Sequence, residues 1–381
     1  MPNRRPRLVV LDTSHIAGLA ADWMSRESAR QQEANSFVRR LMEHGWLPLL
    51  SWPQLEELIQ HENDEVVDAR LQFLWSWPLA ACIRPSDPDA GPGKVLEILT
   101  AEALAAHANP NADALAVRDL VRRGLVAYGP GTAVIPSGFE FWRLFRQVLA
   151  EKQARARELM AIAPWKGFEA LDKQRMGHLM SQPSRSPQES LRVLNHLSAS
   201  LAKEVKERGD KRIPDPKAVA DEFFAGLMRT AQAAAAGGAV PTAIGILQAE
   251  GVDIDDIHPD DTFGEVMDRH TFKKRLRIAI ESRGLSFEPL RRTLTLDRLP
   301  VAVIQHSMRR YGHDQPERKG SDMNDVFLLC LAPYADLTFV DKRTLESVRR
   351  ARSKVPVLEP LLGDVRKASG HCEISSVIAA M

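Results

Sequence analysis

Two apolar runs, each ending in an aspartate, stand near opposite ends of the 381-residue chain. They are Leu8-Val9-Val10-Leu11-Asp12 and Leu337-Thr338-Phe339-Val340-Asp341. A strand covered on one face alternates polar and apolar residues. A strand covered on both faces reads as a continuous apolar run, which is the habit of parallel sheets. Ligands of open parallel sheets gather beyond the carboxyl ends of the strands, where both aspartates fall. If the two strands are neighbours, residues from the two ends of the chain share one crevice.

The segments after the first run support a sheet of that kind. An amphipathic helix is expected over 27–44, with Phe37, Val38, Leu41 and Met42 on one side and Gly45 stopping it. A strand follows at 46–50. Ser51 then caps a helix with Pro53 in its first turn and Leu55, Leu58 and Ile59 facing inward. A helix at 65–75 and a strand at 79–83 complete the alternation, which predicts a parallel α/β sheet. A loop rich in turn residues ends it at 84–93. From there to about residue 292 the pattern reads almost wholly helical. Alternation then returns, with a helix at 300–310, a polar loop at 311–320 and a helix at 322–331 capped by Ser321. A strand at 337–340, a helix at 344–351 and a last strand at 355–358 follow. The expected fold class is α/β: a parallel sheet flanked by helices, assembled from residues 1–85 and 295–381, around a large all-α insertion at 86–294.

Two of the helix starts bring further acids: Glu56 and Glu57 after Ser51, and Asp322 and Asp325 after Ser321. Each has an ordinary explanation. An aspartate after a strand is commonly a turn or cap residue, and acids in a first helical turn suit the helix dipole. Together, however, carboxylates in one crevice repel and force some of their number to hold protons. A hard divalent cation relieves that, and Mg²⁺ and Mn²⁺ prefer carboxylate and water oxygen. Such an ion polarises a phosphodiester and lowers the pKa of a bound water, and a pair of ions clamps attacking and leaving oxygens. Hydrolysis of a nucleic-acid backbone is the chemistry this pattern suits.

Strand-Asp12, helix-Glu57, helix-Asp322/Asp325 and strand-Asp341, in that order, resemble the four-acid pattern of PIN-domain nucleases. The segments Ser321-Asp322-Met323-Asn324-Asp325-Val326-Phe327-Leu328-Leu329, Pro333-Tyr334-Ala335-Asp336 and Val340-Asp341-Lys342-Arg343 carry most of the likeness. Thr13 or Ser14 matches the small hydroxyl residue that often follows the first aspartate in that family. The resemblance implies a PIN-like, Mg²⁺- or Mn²⁺-dependent endonuclease, most often an endoribonuclease. It implies that Asp12, Glu57, Asp325 and Asp341 are catalytic, with Glu56 and Asp322 as neighbouring candidates for the metal. It leaves the 86–294 stretch unaccounted for, and it admits a regulatory protein partner.

The chain carries 51 Lys and Arg against 50 Asp and Glu, a net charge of +1. Nucleic-acid-binding proteins often carry a large positive excess, so phosphate contacts would fall to local clusters. Arg309-Arg310 and Lys342-Arg343 lie nearest the acids. The basic stretch His270, Lys273, Lys274, Arg275 and Arg277 reads as a solvated helix face. His15 and His306 read as structural hydrogen-bonding groups. Cys82, Cys330 and Cys372 form neither a disulfide framework nor a C-x-x-C pair and fit a reducing cytoplasm. The apolar runs are too short for a signal peptide or a membrane span. No phosphate-binding G-x-x-x-x-G-K-[ST] loop is present. Two other functions compete. An aspartyl phosphotransferase of the haloacid-dehalogenase type wants a second aspartate where Ser14 stands. A catalytically silent PIN-like scaffold would bind RNA or protein.

Overall fold

The computed structural model describes residues 5–163, 165, 167, 169–181, 186–237, 247–248, 251–313 and 315–381. The chain splits into two compact units. The first comprises Met1–Lys152, Leu276–His313 and Asn324–Met381, and the second comprises Gln153–Arg275 and Asp314–Met323.

The first unit holds a six-stranded sheet in the order β4-β3-β2-β1-β5-β6. Its strands are β1 (Arg7–Val10), β2 (Trp46–Leu50), β3 (Ala80–Ile83), β4 (Val126–Gly129), β5 (Leu337–Val340) and β6 (Val365–Lys367). All neighbours are parallel except β4, which runs antiparallel to β3. The two non-alternating runs become β1 and β5, adjacent interior strands of the sheet. Leu8, Val9 and Val10 are fully buried, as are Phe339 and Val340. Both faces of such a strand are covered, so an alternating sequence would leave polar groups stranded in the core.

Helices α1 (Thr13–Trp23), α2 (Ser28–Glu43), α3 (Trp52–Ile59), α4 (Asp64–Trp75), α5 (Val95–Ala108) and α6 (Ala114–Leu125) intervene between the first four strands. Gly45 adopts φ +76° between α2 and β2. That left-handed conformation costs glycine little, and it stops the helix where the sequence suggested. Strands β2, β3 and β4 step outward on one side of β1, and β5 and β6 lie on the other side. The strand order therefore reverses between β1 and β5, the point where open α/β sheets bind ligands.

Some boundaries differ from those expected. The stretch expected to be a helical insertion, 86–294, contains β4, and its parts 86–152 and 276–294 belong to the sheet-bearing unit. The strand expected at 355–358 is instead the approach to a short helix, Leu358–Leu362, and the sixth strand lies at Val365–Lys367. Within the stretch expected to be helical, Ser137–Phe145 is a 3₁₀ segment, followed by an α-helix, Arg146–Ile162.

Two polar anchors hold the first unit together. Asp336 receives the Leu8 N–H at 2.8 Å and an Arg122 N–H at 2.7 Å, locking β5 to β1 at the end opposite the two terminal aspartates. Glu102 of α5 is fully buried. It accepts the Tyr334 hydroxyl at 2.6 Å and the Val301 N–H at 3.0 and 3.2 Å. Burial pushes its pKa up to about 8, against the opposing pull of those two hydrogen bonds.

The second unit is helical. Pro187–Arg208 packs along Pro216–Gly237 around Leu201, Val205, Ala220 and Phe224. Arg318 is buried there and donates to Glu204 at 2.9 Å. In the basic stretch, Lys273 pairs with Asp256 at 2.5 Å.

Candidate active site at the ends of two adjacent strands

The sheet brings Asp12 and Asp341 to the same edge. Val10 is in register with Thr338, and the Asp12 N–H donates to the Phe339 carbonyl at 3.1 Å. Each aspartate also opens a helix. Asp12 Oδ1 accepts the Ser14 N–H at 2.7 Å, and Asp341 Oδ1 accepts the Thr344 N–H at 2.6 Å. The capping explanation therefore holds for both, and it fixes both carboxylates where helix N–H dipoles favour negative charge.

Glu57 joins Asp12. It is half-buried on α3. Burial raises its pKa above the usual carboxylate value, and the Asp12 charge pushes it the same way. Hydrogen bonds from the Thr13 and Asn324 side chains, together with the Arg70 charge, oppose the rise without cancelling it. Asp12, Thr13, Glu57, Asn324 and Arg70 thus form one interacting group. Burial lowers the Arg70 pKa, and Glu57 acts in the other direction. Arg70 also donates to the Leu58 carbonyl at 2.9 Å, which holds it beside α3.

The position of α3 is set by Gln54, a residue the sequence did not single out. Gln54 is buried and donates to the Leu11 carbonyl at 2.8 Å. Its side-chain oxygen accepts the Ser51 N–H and Ser51 hydroxyl, each at 2.9 Å. One amide therefore ties the start of α3 to Leu11, the residue between the end of β1 and Asp12. Glu57 follows one turn later on the same helix.

The remaining expected residues fall into three groups. Glu56 is occupied elsewhere: it accepts the Trp52 indole N–H at 2.5 Å and meets Lys152 at 3.3 Å. Asp322 belongs to the second unit, where its carboxylate accepts the Lys319 N–H at 2.9 Å. At the helix Asp322–Leu329 the hydrogen bond to Glu57 comes from Asn324, and Asp325 is its neighbour on the same turn.

Asp341 has a different environment from Asp12. Burial alone would raise its pKa, but hydrogen bonds from Thr344 and Arg343 outweigh that and hold it below the ordinary value. Arg343 lies 3.3 Å from its Oδ2. Ser14, Lys342, Arg309 and Arg310 are exposed. His15 is buried, with Nε2 3.1 Å from the Ala368 carbonyl, which is a structural role.

All donor atoms around Asp12 and Glu57 that the sequence singled out are oxygens. Among the described residues, Asp12, Glu57, Asp325 and Asp341 do not supply three carboxylates whose oxygens lie within 4.8 Å of one another. Mg²⁺ is usually held by only one or two carboxylates and keeps several waters. The Asp12–Glu57 pair fits that demand, because two coupled carboxylates in a partly dry setting lack a full counter-charge. Among the described residues no helix is long and apolar enough to cross a membrane. Comparison with protein families, with characterised proteins and with solved structures returned no match.

Proposed function

We propose that this protein is a divalent-metal-dependent nuclease of the PIN-like type that hydrolyses RNA phosphodiesters. The observation that carries the reading is the coupling of Asp12 and Glu57 at the point where the strand order reverses. Asp12 and Glu57 would hold Mg²⁺ or Mn²⁺, with Asp341 at the same sheet edge. When bound, such an ion lowers the pKa of a water and offsets charge on the phosphodiester.

The chain's own residues prepare that site. Thr13 and Asn324 orient the Glu57 carboxylate, and Gln54 keeps α3 at a fixed distance from β1. The Asp12 cap holds one of its oxygens on the backbone. Lys342 and Arg343, at the start of the helix after β5, and Arg309 and Arg310 supply positive charge for phosphates.

The pairing of Asp341 with Arg343 favours one second reading, a silent scaffold that binds RNA without cutting it. A single experiment separates them. Purified protein is incubated with single-stranded RNA or DNA and Mn²⁺, Mg²⁺ or a chelator. The nuclease reading expects cleavage of RNA with metal, none with chelator, and roughly 10³-fold less from Asp12→Asn. Retardation of RNA on a gel without cleavage supports the scaffold.

A further inference from the structure

We propose that Glu33, His371 and Cys372, with Asp22 beside the histidine, form a zinc site that ties the helix His371–Ala379 to α1 and α2. This goes beyond the nuclease reading and uses none of its residues.

The ligating atoms of Glu33, His371 and Cys372 all lie within 4.8 Å of one another. No other group of three such side chains among the described residues meets that criterion. His371 Nε2 stands 3.6 Å from an Asp22 carboxylate oxygen. The residues come from three helices that pack together: Asp22 from the last turn of α1, Glu33 from α2, and the adjacent pair from the first turn of His371–Ala379.

The donor chemistry selects the ion. A thiolate and an imidazole are poor ligands for Mg²⁺ or Ca²⁺ and good ones for Zn²⁺, which accepts a carboxylate as third ligand. Zinc-bound sulfur and nitrogen sit at about 2.3 and 2.0 Å, so the atoms need only a small inward movement to close on an ion. Glu33 also meets Arg40 at 3.5 Å, a partly exposed pair that is weak and can be exchanged for a metal bond. Asp22 supplies the carboxylate that commonly orients a metal-bound histidine through its other ring nitrogen. His371 is mostly buried and lies edge-on to Phe37 with ring centroids 6.2 Å apart, which limits its rotation.

Cobalt(II), a coloured stand-in for zinc, tests the site in the full chain. Metal-free protein titrated with Co²⁺ is expected to develop a near-ultraviolet thiolate-to-metal charge-transfer band that saturates at one equivalent. Zn²⁺ should bleach the band and raise Tm. Cys372→Ser, at an exposed position, should keep the circular-dichroism spectrum and lose the band. Asp22→Asn should weaken binding at least about tenfold. Cys82 and Cys330 are buried, so a band that persists in Cys372→Ser comes from elsewhere and overturns the proposal. So does a wild-type titration with no band. Ions held by Asp12 and Glu57 give no thiolate band, so the result is independent of any nuclease activity.

Discussion

The corner after β1 and the corner after β5 share a local plan. In each, a buried strand ends in an aspartate whose side chain caps the next helix. Their surroundings differ. Asp12 faces a second carboxylate, Glu57, whose pKa it helps to raise. Asp341 faces the Arg343 guanidinium, and its pKa falls. In one corner two carboxylates repel and Arg70 offsets only part of the effect, while in the other Arg343 and Thr344 outweigh burial. The cap is written by residues within three positions of the aspartate. The charge balance depends on which distant helix the sheet brings alongside, and the Gln54 bond to Leu11 helps hold α3 beside Asp12.

That contrast can be broken or sharpened by substitution. Asp12→Asn keeps a good capping residue, so Tm should hardly move, while metal-dependent RNA cleavage should fall by roughly 10³-fold, the scale of several kcal/mol of lost metal stabilisation. Asp341→Asn should cost less, about 10–100-fold, because its charge is already partly met by Arg343. Equal losses at the two positions would erase the distinction between the corners. Asp341→Ala removes the cap as well and should destabilise by about 1 kcal/mol in chemical denaturation, where Asp341→Asn does not. The subtlest change is Glu57→Gln. A carboxyl whose native pKa is raised binds more protons folded than unfolded, so stability falls as pH rises through that interval. Removing the charge should therefore raise Tm at neutral pH in the absence of metal and leave it unchanged at about pH 4, where the carboxyl is mostly protonated in either state. A lower Tm at neutral pH would mean that Arg70 already neutralises Glu57.

Much of the frame is legible in the sequence, because continuous apolar runs, Gly45 and Ser51 act through local rules. The strands β1, β2 and β5 fall where those rules put them. Other strands hide for physical reasons. Val126–Gly129 follows α6 directly, and the one breaker nearby, Gly124, lies inside the last helical turn, so a four-residue strand there is hard to tell from a helix end. Val365–Lys367 is an edge strand whose Arg366 and Lys367 disguise it, a composition that also discourages edge-to-edge association. The aspartates were legible from their strands. Asn324, Arg70 and Gln54 were not, since each acquires its role from a contact made across the fold.

The acid buried beside Tyr334 links this fold to solution in another way. Between about pH 4.5 and pH 8 the native chain keeps a hydrogen ion on Glu102 that the unfolded chain has given up. Folding at neutral pH therefore withdraws a hydrogen ion from the solvent, and unfolding returns it. Stability from this position is fully present in acid and drains away with rising alkalinity, by roughly 1.4 kcal/mol for each pH unit crossed between those limits. Calorimetry in buffers of unlike ionisation enthalpy would register the exchanged ion as a buffer-dependent heat, and Glu102→Gln would lower that heat by the share of one hydrogen ion. Mild base would then loosen this molecule from its interior, at the junction of α5 with the Pro300–Tyr311 helix.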